Sequence, residues 1–234
     1  MERTIEVCMS PELMHLYDVQ ERVVVVVDVL RATSCMVAGL GSGVASITPF
    51  ADLEACRAMK DQGYRIAAER NGKKGDGFDM GNSPYEYMAP ENQGQRIATT
   101  TTNGTRAIEL SKNSQGLYIG AFLNISALAT QLRARTEDIL VLCAGWKGRF
   151  NLEDTLFGGA LIHHLRDAVK PVDDAALAAL TLYQSQADNL AAFLKQSAHA
   201  QRLSGPSAAK DIELCLSQDK FDAVPTLQQG ILKA

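Results

Sequence analysis

The sequence predicts an α/β protein in three layers (α/β/α), with helices on both faces of a mostly parallel sheet. Two observations indicate this fold. Short β-rich segments alternate with helical segments along most of the 234 residues, as in chains that build parallel sheets from strand–helix–strand units. The strand predicted over Val23–Val29 begins with five consecutive valines, a continuous apolar run typical of a strand buried on both faces.

The other strands and the helices follow from the same alternation. Further strands are predicted at Ala45–Thr48, Tyr64–Ala68, Arg96–Thr100, Leu117–Phe122 and Ile139–Cys143. Helices are predicted at Arg31–Leu40, Ala51–Gln62, Thr105–Lys112, Ser126–Arg135 and Leu152–Arg166. Gly63 is expected to end the second helix in the left-handed conformation. Ser83, Pro84 and Glu86 have the spacing of a helix start, with serine as N-cap and proline in the first position.

The chain from about Asp173 onward is rich in alanine and leucine and is predicted to be helical, with a break at Ser204–Pro206. The strand–loop–helix units at 23–41 and 139–166 are similar. We therefore expect one catalytic unit, 1–234, with two related lobes at about 1–115 and 116–234.

Composition excludes several classes of protein. With 46% apolar and 21% charged residues, the chain is not intrinsically disordered. Its net charge of −4 argues against nucleic-acid binding. The longest aliphatic run, Val23–Val27, is far short of the roughly 20 residues that span a bilayer. Five scattered cysteines and the lack of a recognisable export signal predict free thiols in a reducing compartment, the cytoplasm.

Polar clusters follow four predicted strands, where ligands bind in open α/β sheets. Asp28 ends the valine strand, where its carboxylate could ligate a metal ion or attack phosphorus. It could instead cap the next helix or pair with Arg31. The threonines before Asn103 and Gly104 put hydroxyl and amide groups at a helix start, which suits either an anion or plain capping.

Glu153 and Asp154 follow Asn151 in the first turn of a predicted helix, where acids stabilise any helix. Combined with Asp28 and Glu69, however, they supply the oxygen ligands that Mg²⁺ prefers.

Cys143 and Arg149 have the C-x5-R spacing of cysteine-dependent phosphatases, in which a thiolate attacks phosphorus. Leu142 and Phe150 replace the histidine and the hydroxyl residue usual in those enzymes, which weakens this interpretation. The chain also lacks a P-loop and the second aspartate of the haloacid dehalogenase motif.

Taken in order, several blocks resemble the 2-phosphosulfolactate phosphatase family of coenzyme M biosynthesis. The blocks are 26–33, Glu69-Arg70 with 77–79 and 81–84, 101–105, Cys143-Ala144-Gly145, Glu153-Asp154, and the C-terminal stretch from Asp211-Ile212 to Val224-Pro225. The resemblance implies an α/β/α fold and a Mg²⁺-dependent phosphatase that converts 2-phospho-3-sulfolactate to 3-sulfolactate and phosphate.

Site roles are assigned within this resemblance. The expected catalytic residues are Asp28, Arg31 and Glu69, and the expected Mg²⁺ ligands are Asp28, Glu69, Glu153 and Asp154. The expected substrate-binding residues are Arg70, Asn82, Thr101, Thr102, Asn103, Gly104, Thr105, Gly145 and Arg149. The expected partner is a small anionic phosphate ester, with no nucleic acid and no membrane. The alanine-rich C-terminal helices could supply a homodimer surface.

Two alternatives remain open at this point. The chain could hydrolyse another small 2-phospho-acid, or it could be a non-catalytic binder of a small phosphate. The acidic cluster separates them, because carboxylates without a metal ion repel a phosphate.

Overall fold

The predicted alternation is present in the structure, a computed structural model that describes residues 2–203 and 206–234. The strands are β1 (Thr4–Cys8), β2 (Arg22–Val27), β3 (Ser46–Pro49), β4 (Arg65–Arg70), β5 (Lys73–Lys74), β6 (Arg96–Thr100), β7 (Gly116–Gly120), β8 (Asp138–Cys143), β9 (Lys170–Pro171), β10 (Thr226–Gln228) and β11 (Ile231–Lys233). The helices are α1 (Ala32–Gly41), α2 (Leu53–Ala58), α3 (Pro84–Tyr87), α4 (Gly104–Ser111), α5 (Ile125–Arg133), α6 (Leu152–His164), α7 (Asp174–Gln186), α8 (Leu190–Leu194), α9 (Ala198–Arg202) and α10 (Pro206–Cys215).

In the described ranges, eleven strands form one sheet in the order β5-β4-β6-β3-β11-β10-β7-β2-β8-β1-β9. Strands β4, β6 and β3 form one parallel group, and β7, β2, β8, β1 and β9 form another. The C-terminal hairpin β10–β11 joins the two groups through antiparallel pairs, Tyr118 with Thr226 and Ile47 with Leu232. Because three successive pairings are antiparallel, the two parallel groups run in opposite directions.

The valines of β2 explain the three layers. Side chains alternate between the faces of a strand, so successive valines enter different cores. Val23, Val25 and Val27 pack in one core with residues of α5, α6 and α7. Val24 and Val26 pack in a second core with residues of α1, α3 and α4. The sheet is therefore covered on both faces, which confirms the predicted α/β class.

Most predicted elements lie within a few residues of the observed ones, and Gly63 has the expected positive φ. The pattern missed β1, β5, β9 and the C-terminal hairpin. Strand β2 lies between β7 and β8, so the one sheet contains strands from both expected lobes, 1–115 and 116–234, and the two-lobe division stays a prediction. Of the predicted break at Ser204–Pro206, residues 204 and 205 lie outside the described residues. None of the helices in the described part of the chain is both long and apolar enough to cross a membrane.

Asp154 ties the end of β2 to the loop that follows β8. One carboxylate oxygen accepts a hydrogen bond from the Val29 amide at 2.9 Å, and the other accepts one from the Gly145 amide at 3.1 Å. The side chain is buried, and burial raises the pKa of Asp154 well above its usual value. Two neighbouring loops thus share one acidic anchor.

We predict that Asp154→Asn lowers the free energy of unfolding by roughly 1–3 kcal/mol, because an amide offers an acceptor lone pair on one atom only. A carboxyl group offers one on both oxygens in either protonation state. Urea denaturation measures the difference. Asp174→Asn, at an exposed first-turn position of α7, is the matched control and should change stability by less than about 0.5 kcal/mol. Equal effects of the two substitutions would show that Asp154 is not an anchor.

Candidate active site

One cavity gathers residues that follow four different strands. It encloses about 100 Å³, well below the roughly 300–1,000 Å³ of sites for drug-sized ligands, so it suits a small molecule. Its lining residues are Asp28, Leu30, Arg31, Glu69, Asn71, Gly72, Asn82, Asn103, Trp146, His199, Arg202 and Leu203. Since the two parallel groups run in opposite directions, these residues do not share one edge of a flat sheet. Each parallel group pairs with the hairpin through a single residue pair. Few backbone hydrogen bonds therefore hold the two groups in one plane.

Asp28 lies in the deep part of this cavity, 7% exposed. Its Oδ1 accepts a hydrogen bond from the Ala32 amide at the start of α1, at 3.3 Å, so the capping alternative is also realised. A Cβ at Gly104 would lie 2.9 Å from Oδ2, which explains the glycine at the start of α4. Burial, reinforced by the carboxylates of Glu69 and Glu153, raises the pKa of Asp28 to about 6.

Arg31 is held by Asp211 of α10, and not by Asp28. The guanidinium forms an ion pair with Oδ2 of Asp211, and both side chains are nearly buried. Ser83 Oγ donates to Oδ1 of Asp211 at 2.6 Å, so both oxygens of this carboxylate are engaged. The arrangement fixes the direction of Arg31 at the cavity wall.

Glu69 and Asn82 bring oxygen atoms to the same cavity from the β4 side. Oε2 of Glu69 accepts hydrogen bonds from the Thr102 amide at 3.4 Å and from its hydroxyl at 3.3 Å. Oε1 accepts from the Gly72 amide. Asn82 is buried, and its Oδ1 has no hydrogen-bond partner in the described part of the chain. An unpartnered buried oxygen at a cavity wall is a candidate ligand for a cation.

Glu153 is fully buried and pairs with a histidine from the C-terminal helices. Its Oε1 lies 2.7 Å from Nδ1 of His199, while Oε2 has no hydrogen-bond partner among the described residues. His199 lines the cavity, whereas Glu153 lies behind it and lines an adjoining groove.

The four predicted metal ligands are not brought into one group. Within residues 2–203 and 206–234, no cluster of three or more His, Cys, Asp or Glu side chains is placed to hold a metal ion. Asp154 is committed to two backbone amides, and Glu153 to His199. Asp28 and Glu69 remain at the cavity surface.

The threonine turn is mostly structural. Thr101 and Thr105 cap each other, because the amide of each donates to the hydroxyl of the other at 3.2 Å. Thr102 binds Glu69, and only Asn103 of the turn lines the cavity, while its Oδ1 accepts a hydrogen bond from the Lys147 amide. The capping alternative therefore describes Thr101 and Thr105.

Three other predicted substrate residues do not line the cavity. Arg70 donates to Thr100 Oγ1 at 2.9 Å and to the carbonyl oxygen of Glu69. Gly145 forms a turn with φ +58°, where a Cβ would lie 2.4 Å from the carbonyl oxygen of Arg149. Arg149 itself lines the adjoining groove.

Cys143 is not placed to act as a nucleophile. Its side chain is fully buried in the core beside α6, and burial raises the pKa of the thiol well above its usual value. A reactive cysteine needs the opposite, a lowered pKa and access to substrate. The C-x5-R spacing is therefore coincidental.

Four residues of the site were missed by sequence reasoning about ligand chemistry. Trp146 follows β8, His199 and Arg202 belong to α9, and Asp211 belongs to α10. His199 and Arg202 are three residues apart, a spacing that places both on one helix face. That spacing could have indicated a shared binding face for His199 and Arg202, but it did not reveal where α9 packs on the protein.

With this geometry in view, comparison with known proteins gives a consistent result. Residues 8–230 match the model of the family described as 2-phosphosulpholactate phosphatase. A protein of Thermotoga petrophila named probable 2-phosphosulfolactate phosphatase is 40% identical over 97% of this chain and 96% of its own length. Proteins of the same name from Thermotoga maritima and Caldanaerobacter subterraneus are 39% and 36% identical, over 97% and 92% of this chain and 96% and 92% of their own lengths. The chain thus belongs to the 2-phosphosulpholactate phosphatase family.

Proposed function

We propose that this chain is a Mg²⁺-dependent phosphatase that hydrolyses 2-phospho-3-sulfolactate to 3-sulfolactate and phosphate. The family membership and the names of the relatives support the reaction and the substrate. The observation that carries the proposal is the joint presence of Asp28, Glu69 and Arg31 in one small cavity. Such a wall combines oxygen ligands for a cation with a fixed donor for a phosphoryl group.

Asp28, Glu69 and Asn82 are the residues that would hold Mg²⁺. This ion takes only one or two protein carboxylates in many phosphate-handling sites, because water and substrate oxygens complete its shell. The unpartnered Oδ1 of Asn82 and the raised pKa of Asp28 both fit a cation at this wall. Bound there, the ion supplies charge neutralisation for the phosphoryl oxygens.

Arg31 would bind the phosphoryl group. A guanidinium donates paired hydrogen bonds to phosphate oxygens, and an arginine already oriented loses less freedom on binding. Asp211 and Ser83 provide this orientation from α10 and from the residue before α3. In the overall reaction, water adds to phosphorus, the ester P–O bond breaks, and the leaving oxygen takes up a proton.

The alternatives differ in what the cavity must contain. Another small 2-phospho-acid could be hydrolysed at the same wall, and substrate comparison separates that case. A non-catalytic phosphate binder is disfavoured by Asp28 and Glu69, since two carboxylates repel a phosphate in the absence of a cation. We further propose that the enzyme works in the cytoplasm, because all five cysteines are free and buried.

Removal of the metal ion should abolish activity. We expect EDTA to stop phosphate release from 2-phospho-3-sulfolactate and added Mg²⁺ to restore it, because Asp28 and Glu69 otherwise repel the ester. Colorimetric phosphate assay measures both steps. Undiminished turnover in excess chelator would contradict the magnesium proposal.

Asp28→Asn should lower kcat by roughly 10²-fold or more, since it removes charge at the reacting centre without changing shape. It should also stabilise the metal-free protein. The pKa of Asp28 is raised from about 3.8 to about 6, so its ionisation opposes folding. The destabilising effect is absent below pH 4, grows between pH 4 and 6, and is complete above pH 6.

Denaturation in EDTA should therefore show the Asp28→Asn variant more stable than wild type at pH 8 by roughly 1–3 kcal/mol, and equally stable near pH 4. Phosphate assay at pH 7 gives kcat. Normal turnover would make Asp28 a purely structural residue, and a pH-independent stability difference would contradict the ionisation argument.

Cys143→Ala should keep at least about one tenth of wild-type kcat/KM, a loss below roughly 1.4 kcal/mol. A loss of several decades in a correctly folded variant would restore the thiolate mechanism.

A further inference from the structure

Arg202 is the cation of the cavity wall that no carboxylate neutralises. Of the other basic groups that line the cavity in the described part of the chain, Arg31 is paired with Asp211 and His199 with Glu153. Among those residues, Arg202 makes no ion pair within 4.0 Å, and its guanidinium donates no hydrogen bond. Its charge is available to a ligand.

Trp146 holds this guanidinium in place. The central carbon of the Arg202 guanidinium lies 4.1 Å from the centre of the Trp146 ring. A cation over an indole is attracted to the ring face, which limits the positions of the long arginine side chain. The edge of a stacked guanidinium keeps its N–H groups free. Arg202 is therefore oriented by Trp146, while its N–H groups stay free to bind a ligand.

Position along the wall separates Arg202 from the phosphoryl end of the cavity. Asp28 is buried, whereas Arg202 is exposed at the end of α9. A phosphate ester with its phosphoryl group near Asp28 and Arg31 directs the rest of its body toward solvent, and Arg202 lies on that side. Arg70 and Arg149, which were expected to bind the substrate, do not line the cavity.

We propose that Arg202, stacked on Trp146, binds an anionic group of the substrate other than the phosphoryl group. Arg202 would thereby select phosphate esters that carry a carboxylate or sulfonate. The proposal rests on the proposed function for the placement of the phosphoryl group. A guanidinium fork matches two oxygens of either oxyanion. A phosphate ester with no other anionic group would leave Arg202 without a partner, so Arg202 would add nothing to its affinity.

The experiment measures ligand binding, so that it does not depend on turnover. Calorimetric titration in the presence of Mg²⁺ gives Kd for 3-sulfolactate, lactate and inorganic phosphate. Trp146 is the single tryptophan of the chain, so its fluorescence reports whether each ligand reaches the stacked pair. The proteins are wild type, Arg202→Gln and Lys147→Gln.

Lys147→Gln is the matched control. Lys147 also places its cation against Trp146, at 4.9 Å, and is exposed, but it does not line the cavity. Both variants therefore remove one surface charge beside the same ring. Only one of them removes the group that faces the proposed ligand.

We expect Arg202→Gln to weaken 3-sulfolactate binding by roughly tenfold or more, as for loss of a hydrogen bond to a charged group, and phosphate binding by less than about twofold. Lys147→Gln should change either Kd by less than about twofold. Equal loss for lactate and 3-sulfolactate would assign the carboxylate to Arg202, and loss for 3-sulfolactate alone would assign the sulfonate.

Three results would overturn the inference. They are equal weakening of 3-sulfolactate and phosphate, equal effects of the two substitutions, and failure of wild type to bind 3-sulfolactate with a change in Trp146 emission. Failure of the proposed function looks different. In that case wild type binds 3-sulfolactate through Arg202 but releases no phosphate from 2-phospho-3-sulfolactate.

Discussion

Burial of carboxylic acids beyond the end of a valine strand is the constraint around which this site is built. Asp28, Glu153 and Asp154 all lie within the protein interior, where an ionised carboxylate loses its hydration. Asp154 is compensated by two backbone amides, and Glu153 by His199. Asp28 accepts a hydrogen bond from one helix-terminal amide, and burial raises the pKa of both Asp28 and Asp154. Functional groups are often found at such unfavourable positions, because catalysis needs buried charged groups that stability alone would not favour.

The cavity also requires distant parts of the chain. Arg31 and Asp211 are separated by 180 residues, and His199 comes from a helix close to the C-terminus. The hairpin β10–β11 joins two parallel groups that run in opposite directions, and residues from both groups line the cavity. No single strand–helix unit contains the site. It forms only when the C-terminal helices and the hairpin are in place.

The local pattern of apolar and polar residues predicted the strands whose burial determines that pattern. The strands β2 and β8 are buried on both faces, so their apolar runs are continuous and their ends are marked by polar residues. Strand β1 alternates apolar and polar residues over a short span, and the hairpin strands have three residues each, so neither produced a clear signal.

The same limit applies to the site. Because polar clusters follow buried strands, Asp28, Glu69, Asn82 and Asn103 could be identified as site candidates. Their meeting at one cavity did not follow from this pattern, because β2 runs opposite to β4 and β6. The partners of Arg31 and Glu153 could not be anticipated, since nothing in the spacing of α9 and α10 shows where these helices dock. The threonine turn also illustrates a real ambiguity: hydroxyl groups at a helix start serve an anion or the helix itself, and Thr101 and Thr105 serve the helix.

The distribution of charge over the cavity separates a catalyst from a simple anion receptor. Arg31 is already matched by Asp211, and the imidazole of His199 contacts Glu153 while it partly offsets the raised pKa of Asp28. Asp28 and Glu69 bring two carboxylates to the cavity wall, while Arg202 places positive charge at its exposed rim. The observed order suits a ligand that brings an anionic body to the rim and meets a cation together with the phosphoryl group below it.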